Sequence, residues 1–235
     1  MKILFRTALF FLLLSSLVEA RVKYVPIEDM PAMADFVIMG TVIDSNSRWD
    51  QRGVMINTDY TIQVEENILG DSPPVVVMSF AGGTVGEKTI IVTDTPVLEI
   101  GQKYILFSYQ RGKYSVPVVG HEQGVFRVVH DSVRRMDFVV DYNWYQLELT
   151  DENKLIRGPL TELDSKGALM ARKVPTARKT VVSPKPVVRD VSGKEIPQDS
   201  SVFAKPKARK RGAPITKSEF IDYVRARMHG KEITR

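Results

Sequence analysis

"ADFVIMGTVID", residues 34–44, sets the fold class. Phe36, Ile38 and Val42 fall on one parity of an extended chain and Val37, Met39 and Ile43 on the other, so a strand here is apolar on both faces. "TDYTIQVEENILG", residues 58–70, alternates instead: Tyr60, Ile62 and Val64 against Thr61, Gln63 and Glu65, the period of a strand with one wet face. "VVVMSF", "KTIIV", "KYILFSY", "KYSVPVV" and "GVFRVV" continue the series, with Gly70, Pro73-Pro74, Gly82-Gly83, Pro96, Gly101, Gly112 and Gly120 punctuating the gaps. Many short strands with turn signals imply a sandwich or a small closed barrel. Gly40 and Gly124, inside or at the start of strand patterns, suit a bulge or a tight bend and favour the barrel.

One stretch looks like chemistry. "SFAGGTVGEKTIIV", residues 79–92, resembles a phosphate-binding loop, but Glu87 separates Gly86 from Lys88 and Ala81 stands where the first glycine belongs. Such a loop must also open a helix, whereas "TIIVTDTP" is β-branched and ends at proline. The reading is a glycine-rich connection between strands, with no nucleotide.

Residues 1–20, "MKILFRTALFFLLLSSLVEA", have Lys2 and Arg6 ahead of an apolar run and a Val-Glu-Ala end, the pattern of a secretory signal peptide. Export is expected, to the periplasm, the envelope or the outside, with no transmembrane span once the signal is removed. The chain has no cysteine, so its fold must stand on a core alone, and thiol catalysis and cysteine-ligated metals are excluded. The formal net charge of +5 hides a division. Residues 21–152 hold 11 Lys/Arg against 19 Asp/Glu, net −8, while residues 153–235 hold 20 against 8, net +12. An acidic β domain over residues 21–152 precedes a basic linker over 153–213, read as mostly disordered, and a C-terminal helix over 214–230.

The ordered patterns also carry a resemblance. Ala34, Asp35, Val37, Gly40 and Val42, then Val64, Leu69 and Gly70, then Gly101, Tyr104, Leu106 and Phe107 match successive strands of the netrin and tissue-inhibitor-of-metalloproteinases superfamily. The chain is similar, too, to domains of exported bacterial proteins of that type. The resemblance implies an all-β fold: a small oligonucleotide/oligosaccharide-binding (OB)-like barrel, followed here by an extended basic tail and a short helix. The family's inhibitors place an N-terminal cysteine on a catalytic zinc, and this chain has no residue for that mechanism.

No enzymatic signature stands out. "HEQGV" begins like a zinc-protease helix, but Val125 occupies the second histidine's place and Gly124 spoils the helix. Asp131, Asp137 and Asp141 leave a carboxylate-pair hydrolase as an alternative, although sequence identifies no pair. Phe138, Val140, Tyr142 and Trp144 share one parity; closing a core is the preferred reading over stacking on a sugar or base. Nearby Asp137, Asp141 and Glu148 disfavour nucleic acid, whose phosphates want cations.

Lys205, Lys207, Arg209, Lys210 and Arg211 concentrate positive charge suited to an envelope polyanion or to an acidic protein face. Thr216 and Glu219 are spaced as a capping box, and Ile215 and Phe220 as a hydrophobic staple. Phe220, Ile221, Val224 and Met228 form an apolar stripe that packs on the chain's own β domain or docks on a partner. The expected function is a noncatalytic exported protein-interaction module, without metal or other cofactor. The alternative to it, besides a hydrolase, is an envelope-associated structural protein held by its basic arm.

Overall fold

The computed structural model describes residues 23–110, 116–172 and 213–232. Residues 1–20, read as a signal peptide, most of the basic linker and all five cationic residues from Lys205 to Arg211 lie outside the described residues. The chain divides into two compact units, Met1–Arg127 with Ile221–Arg235, and Val128–Phe220.

In the first unit a short helix, α1 (Met30–Met33), precedes β1 (Phe36–Trp49), β2 (Ile56–Leu69), β3 (Val75–Ala81), β4 (Gly83–Val85), β5 (Lys88–Ile90) and β6 (Lys103–Ser108). β1 and β2 pair antiparallel over their whole lengths, β6 adds to β1, and β3 adds to β2. The two-faced apolar pattern of β1 is used over its first half, where Val37, Ile38 and Val42 are fully buried, but not at Ile43, which is 47% exposed beyond them. β2 keeps its alternation, with Ile56, Tyr60 and Ile62 buried and Thr61 and Gln63 turned outward. Ring pairs Tyr60–Phe80 and Phe107–Phe126 meet edge to face at 5.7 and 5.5 Å between centroids.

Pairing between β1 and β2 slips at Val37/Ile38, Met39/Gly40 and Val42/Asp44. Each slip is a bulge that bends the strand and adds twist. The bending is visible across the inner face. β3 and β6 are separated by β1 and β2, about 14 Å at the usual strand spacing, yet Ser108 Oγ lies 3.9 Å from Met78 Sδ. The sheet therefore curls.

Curling does not close it, and the OB-like, netrin-like β-barrel expected from the sequence is corrected here. Pairing in this unit runs β6, β1, β2, β3 and ends at β3, leaving an open antiparallel sheet. The physical cause is the glycine pair after β3. Gly82 (φ 103°) and Gly83 (φ 135°) take the chain out of the sheet and into a separate two-stranded hairpin, β4–β5, instead of round a barrel corner.

β7 (Val125–Asp131) follows a 3-10 turn at His121–Gly124 and crosses the division between Arg127 and Val128. The second unit continues with β8 (Met136–Asp141), β9 (Tyr145–Leu149), β10 (Leu155–Leu163), β11 (Leu169–Ala171) and β12 (Ala213–Pro214). β10 and β11 lie within the stretch 153–213, so regular structure continues to Ala171. β9 pairs antiparallel with β8, β10 and β12, and β10 with β11. Its core gathers Val129, Phe138, Val140 and Leu169, with Trp144 packed against them, so the aromatic stripe closes a core.

Helix α2 (Lys217–Glu232) starts where the capping box puts it. Thr216 N–H donates to Glu219 Oε2 at 2.8 Å and Glu219 N–H donates back to Thr216 Oγ1 at 3.3 Å, satisfying two donors that the first turn would otherwise leave free. Farther along, Arg225 Nη2 reaches Glu66 Oε1 at 2.8 Å.

Gly40 gives a direct test of the curl. A Cβ there would sit 2.5 Å from Gln63 O and 2.8 Å from Ile62 Cγ2, both on the strand across the bulge. Gly40→Ala is expected to lower stability by about 1–3 kcal/mol, the scale of overpacking in a filled core. Urea unfolding followed by Trp fluorescence measures it, and an unchanged midpoint would show that the bulge has slack.

Candidate functional site

The glycine stretch that resembled a phosphate loop is a hairpin. Val85 pairs with Lys88 across a two-residue turn at Gly86-Glu87, and Gly86 takes a positive φ of 60°. No helix follows to aim backbone N–H groups at an anion. Lys88 Nζ stands 5.7 Å from the Trp49 ring centroid, so its charge rests on an aromatic face beside the hairpin turn.

Beneath the hairpin lies a trough of about 430 Å³, between the ends of β1–β3 and the segment 91–98 that leads back toward β6. Tyr60 and Phe80 line it with their edge-to-face pair, and Ile91 and Val97, 89% and 64% exposed, form an apolar lip. Hydroxyls supply its polar surface. Thr58 Oγ1 donates to the Gly82 carbonyl at 2.8 Å, which makes Ser47 the donor in its 2.8 Å bond to Thr58 Oγ1. Thr84 and Thr89 pair with each other at 2.9 Å. The Thr95 hydroxyl is buried and has no hydrogen-bond partner among the described residues.

Gly83 makes this packing possible. A Cβ on it would run into Thr58 Oγ1 and would lie 2.7 Å from Ser47 Oγ, so the relay and the hairpin fit together only with glycine there. Among the described residues no acid, histidine or lysine lines the trough. The lining is neutral, a mixture of apolar side chains and hydroxyls.

Beside the trough runs the β3 edge. Val64 N–H donates to Pro74 O at 2.8 Å and Gly82 N–H to Ile56 O at 2.7 Å, marking both ends of the β2–β3 ladder. With this register the even-numbered residues turn their amides and carbonyls to β2. Those of Val75, Val77, Ser79 and Ala81 point away, and among the described residues no strand pairs with them. Val75 and Val77 are 47% and 43% exposed, and β3 has no charged residue. Charge is a common means of blocking an edge, and β3 lacks it.

The carboxylates weighed as catalytic candidates all have partners within the fold. Asp131 is fully buried and accepts from the Val133, Arg134 and Leu169 amides and from Arg134 Nη1, which ties the β7–β8 turn to β11. Asp141 pairs with Arg157 at 2.7 Å and accepts from Tyr145 N–H, while burial pushes its carboxyl above the ordinary range. Asp137 holds Lys217 Nζ at 2.9 Å on one oxygen and His130 Nδ1 at 2.8 Å on the other, fastening the first turn of α2 to β8. Arg127, 5% exposed, donates to Glu99 Oε1 at 2.9 Å and to Tyr104 OH at 3.2 Å. Among the described residues no group of three or more His, Asp or Glu is placed to hold a metal ion.

Of the α2 stripe, Phe220, Ile221 and Val224 are buried inside the chain's own packing and Met228 is half-buried. Among the described residues no helix is long and apolar enough to cross a membrane. The trough was not visible in the sequence. Its one local signal was the density of hydroxyls around the glycine pair, in "NTDYT", "GTVGEKT" and "TDTP".

Comparison with family models, with curated proteins and with solved structures finds no match. The netrin-type resemblance thus gains no support from relatedness, and the open sheet removes its structural basis.

Asp137 carries a pH prediction. The hydrogen bond from Lys217, then that from His130, holds its carboxyl below the ordinary value of 3.8. A depressed folded-state value contributes stability that is present above the unfolded carboxyl's range and is lost as pH falls through the folded one. Asp137→Asn is expected to lower the urea midpoint at neutral pH and to flatten the loss of stability between about pH 4 and pH 2. Parallel acid limbs for the variant and the parent would remove the clamp.

Proposed function

We propose that this chain is a noncatalytic, exported protein-interaction module that receives an extended, uncharged segment of a partner protein along β3. The observation that carries the reading is the unpaired β3 edge, with the outward backbone groups of Val75, Val77, Ser79 and Ala81 beside exposed valines. An added strand gains main-chain hydrogen bonds from such an edge, and alternate side chains give it specificity. Export rests on the leader pattern of residues 1–20, and the noncatalytic reading on a trough whose hydroxyls have no base beside them among the described residues.

The charge division supports a second reading, an envelope-associated structural protein in which residues 205–211 meet an anionic polymer or lipid. The two separate cleanly. Ser79→Pro removes a donor that points away from β2, so it blocks an added strand while leaving the β2–β3 ladder whole. Val77→Lys places a charge on the same edge.

Both variants are expected to keep the parent's melting temperature within a few degrees. Both should lose the partner that the parent retains in cross-linked capture from native envelopes. Capture that survives both changes would overturn the edge reading. Retention on anionic phospholipid vesicles that disappears on deleting residues 180–212 would support the second reading in its place.

A further inference from the structure

We propose that the strand received at the β3 edge is β3 of a second copy of this chain, paired antiparallel about a two-fold axis at Met78. The inference rests on the reading of β3 as a receiving edge and names its occupant. The edge is bounded at both ends. Pro73, which shares the parity of Val75, has no N–H to donate, and after Ala81 the pair Gly82-Gly83 takes the chain out of the sheet and into the hairpin. Between these limits stand four residues whose amides and carbonyls point away from β2: Val75, Val77, Ser79 and Ala81.

One antiparallel register uses all of them in both copies. It sets Val75 opposite Ala81 of the second copy and Val77 opposite Ser79 of the second copy, as hydrogen-bonded pairs, with the two Met78 residues facing each other across the axis. A slip by one residue would set these outward groups against groups already bonded to β2. A slip by two brings Ala81 against Pro73, which cannot donate, or Val75 against Gly83, which has left the sheet. Both ends of the edge therefore choose the same alignment.

Side chains fit that alignment. On the outer face each valine meets a small residue: Val75, 47% exposed, faces Ala81, and Val77, 43% exposed, faces Ser79, so both valines gain cover without crowding. Self-pairing also requires an edge without charge, because any charge on it would meet its like close across the axis, and β3 carries none. Four residue pairs, each exchanging two hydrogen bonds, come near the roughly 10 direct hydrogen bonds of an ordinary protein interface.

The test is sedimentation equilibrium of the purified chain, whose mass is expected to double as concentration rises. Ser79→Pro removes an outward donor from both copies and should weaken the dimer at least about tenfold, the scale of two lost hydrogen bonds. Val77→Lys, which sets like charges near the axis, should weaken it as well while the melting temperature is kept. Because the chain has no cysteine, Val77→Cys and Ser79→Cys each carry a single thiol. The two variants mixed and oxidised should give a disulfide-linked dimer, since hydrogen-bonded pairs hold their Cα atoms about 5.5 Å apart, within disulfide reach. Either variant alone should cross-link far more slowly, its thiols lying about 7–8 Å apart on the diagonal.

A monomer at every concentration, with a Ser79→Pro variant that still loses the partner captured from native envelopes, would overturn self-pairing and leave the edge reading standing. A monomer whose captured partner survives Ser79→Pro would overturn both. A dimer that survives Ser79→Pro and Val77→Lys would lie on another surface, and one that cross-links faster through either thiol alone than through the mixture would have another register; each result would overturn the proposal.

Discussion

The backbone ladder between β1 and β2 is the constraint from which the first unit follows. Its length, Phe36–Trp49 against Ile56–Leu69, gives β6 and β3 a surface to pair with on either side. Its three slips supply the curl that lets Ser108 of β6 meet Met78 of β3. A ladder this long without bulges would be a gently twisted ribbon, and its inner side chains would face water. With them, Ile62, Phe80 and Leu106 are all at or below 1% exposure in a chain that has no disulfide.

The same ladder explains why an edge and a trough occur together. Once β3 is paired on one side, its fate on the other depends on the next few residues, and Gly82-Gly83 send them into a hairpin of their own. The hairpin arches over the end of β1–β3, and Gly83 can approach Thr58 and Ser47 only because it has no Cβ. Leaving the β3 edge without a strand among the described residues and roofing the trough are thus two results of one backbone choice. A side chain at position 83 would disturb the roof, and a strand in place of the hairpin would cover the edge.

What was legible in the sequence was local. The parity of Tyr60, Ile62 and Val64, the bulge at Gly40 and the Thr216/Glu219 box all depend on residues a few positions apart, and each is present. Closure was not local. Whether a curled sheet becomes a barrel depends on whether β3 finds a strand, and no pattern in "VVVMSF" states that. β10 and β11 lay inside a stretch whose basic character was read as disorder, although Leu155 and Leu169 are buried. The trough was hidden for the same reason as the missing closure: Ser47, Thr58 and Thr95 come from three separate segments, and only the return of residues 91–98 brings them together.

Polar burial elsewhere argues for where function lies. The fully buried carboxylate of Asp131 has three amides and a guanidinium, and the buried Arg127 has a carboxylate and a phenol. Removing one partner from such a group would leave a buried charge less well compensated. These clusters are therefore committed to holding strands and turns and are poor candidates for chemistry that must change partners. A free strand edge and a neutral trough stand at the opposite extreme. Among the described residues the outward backbone groups of Val75, Val77, Ser79 and Ala81 have no strand to leave, so pairing there would cost the fold none of its own ladder hydrogen bonds.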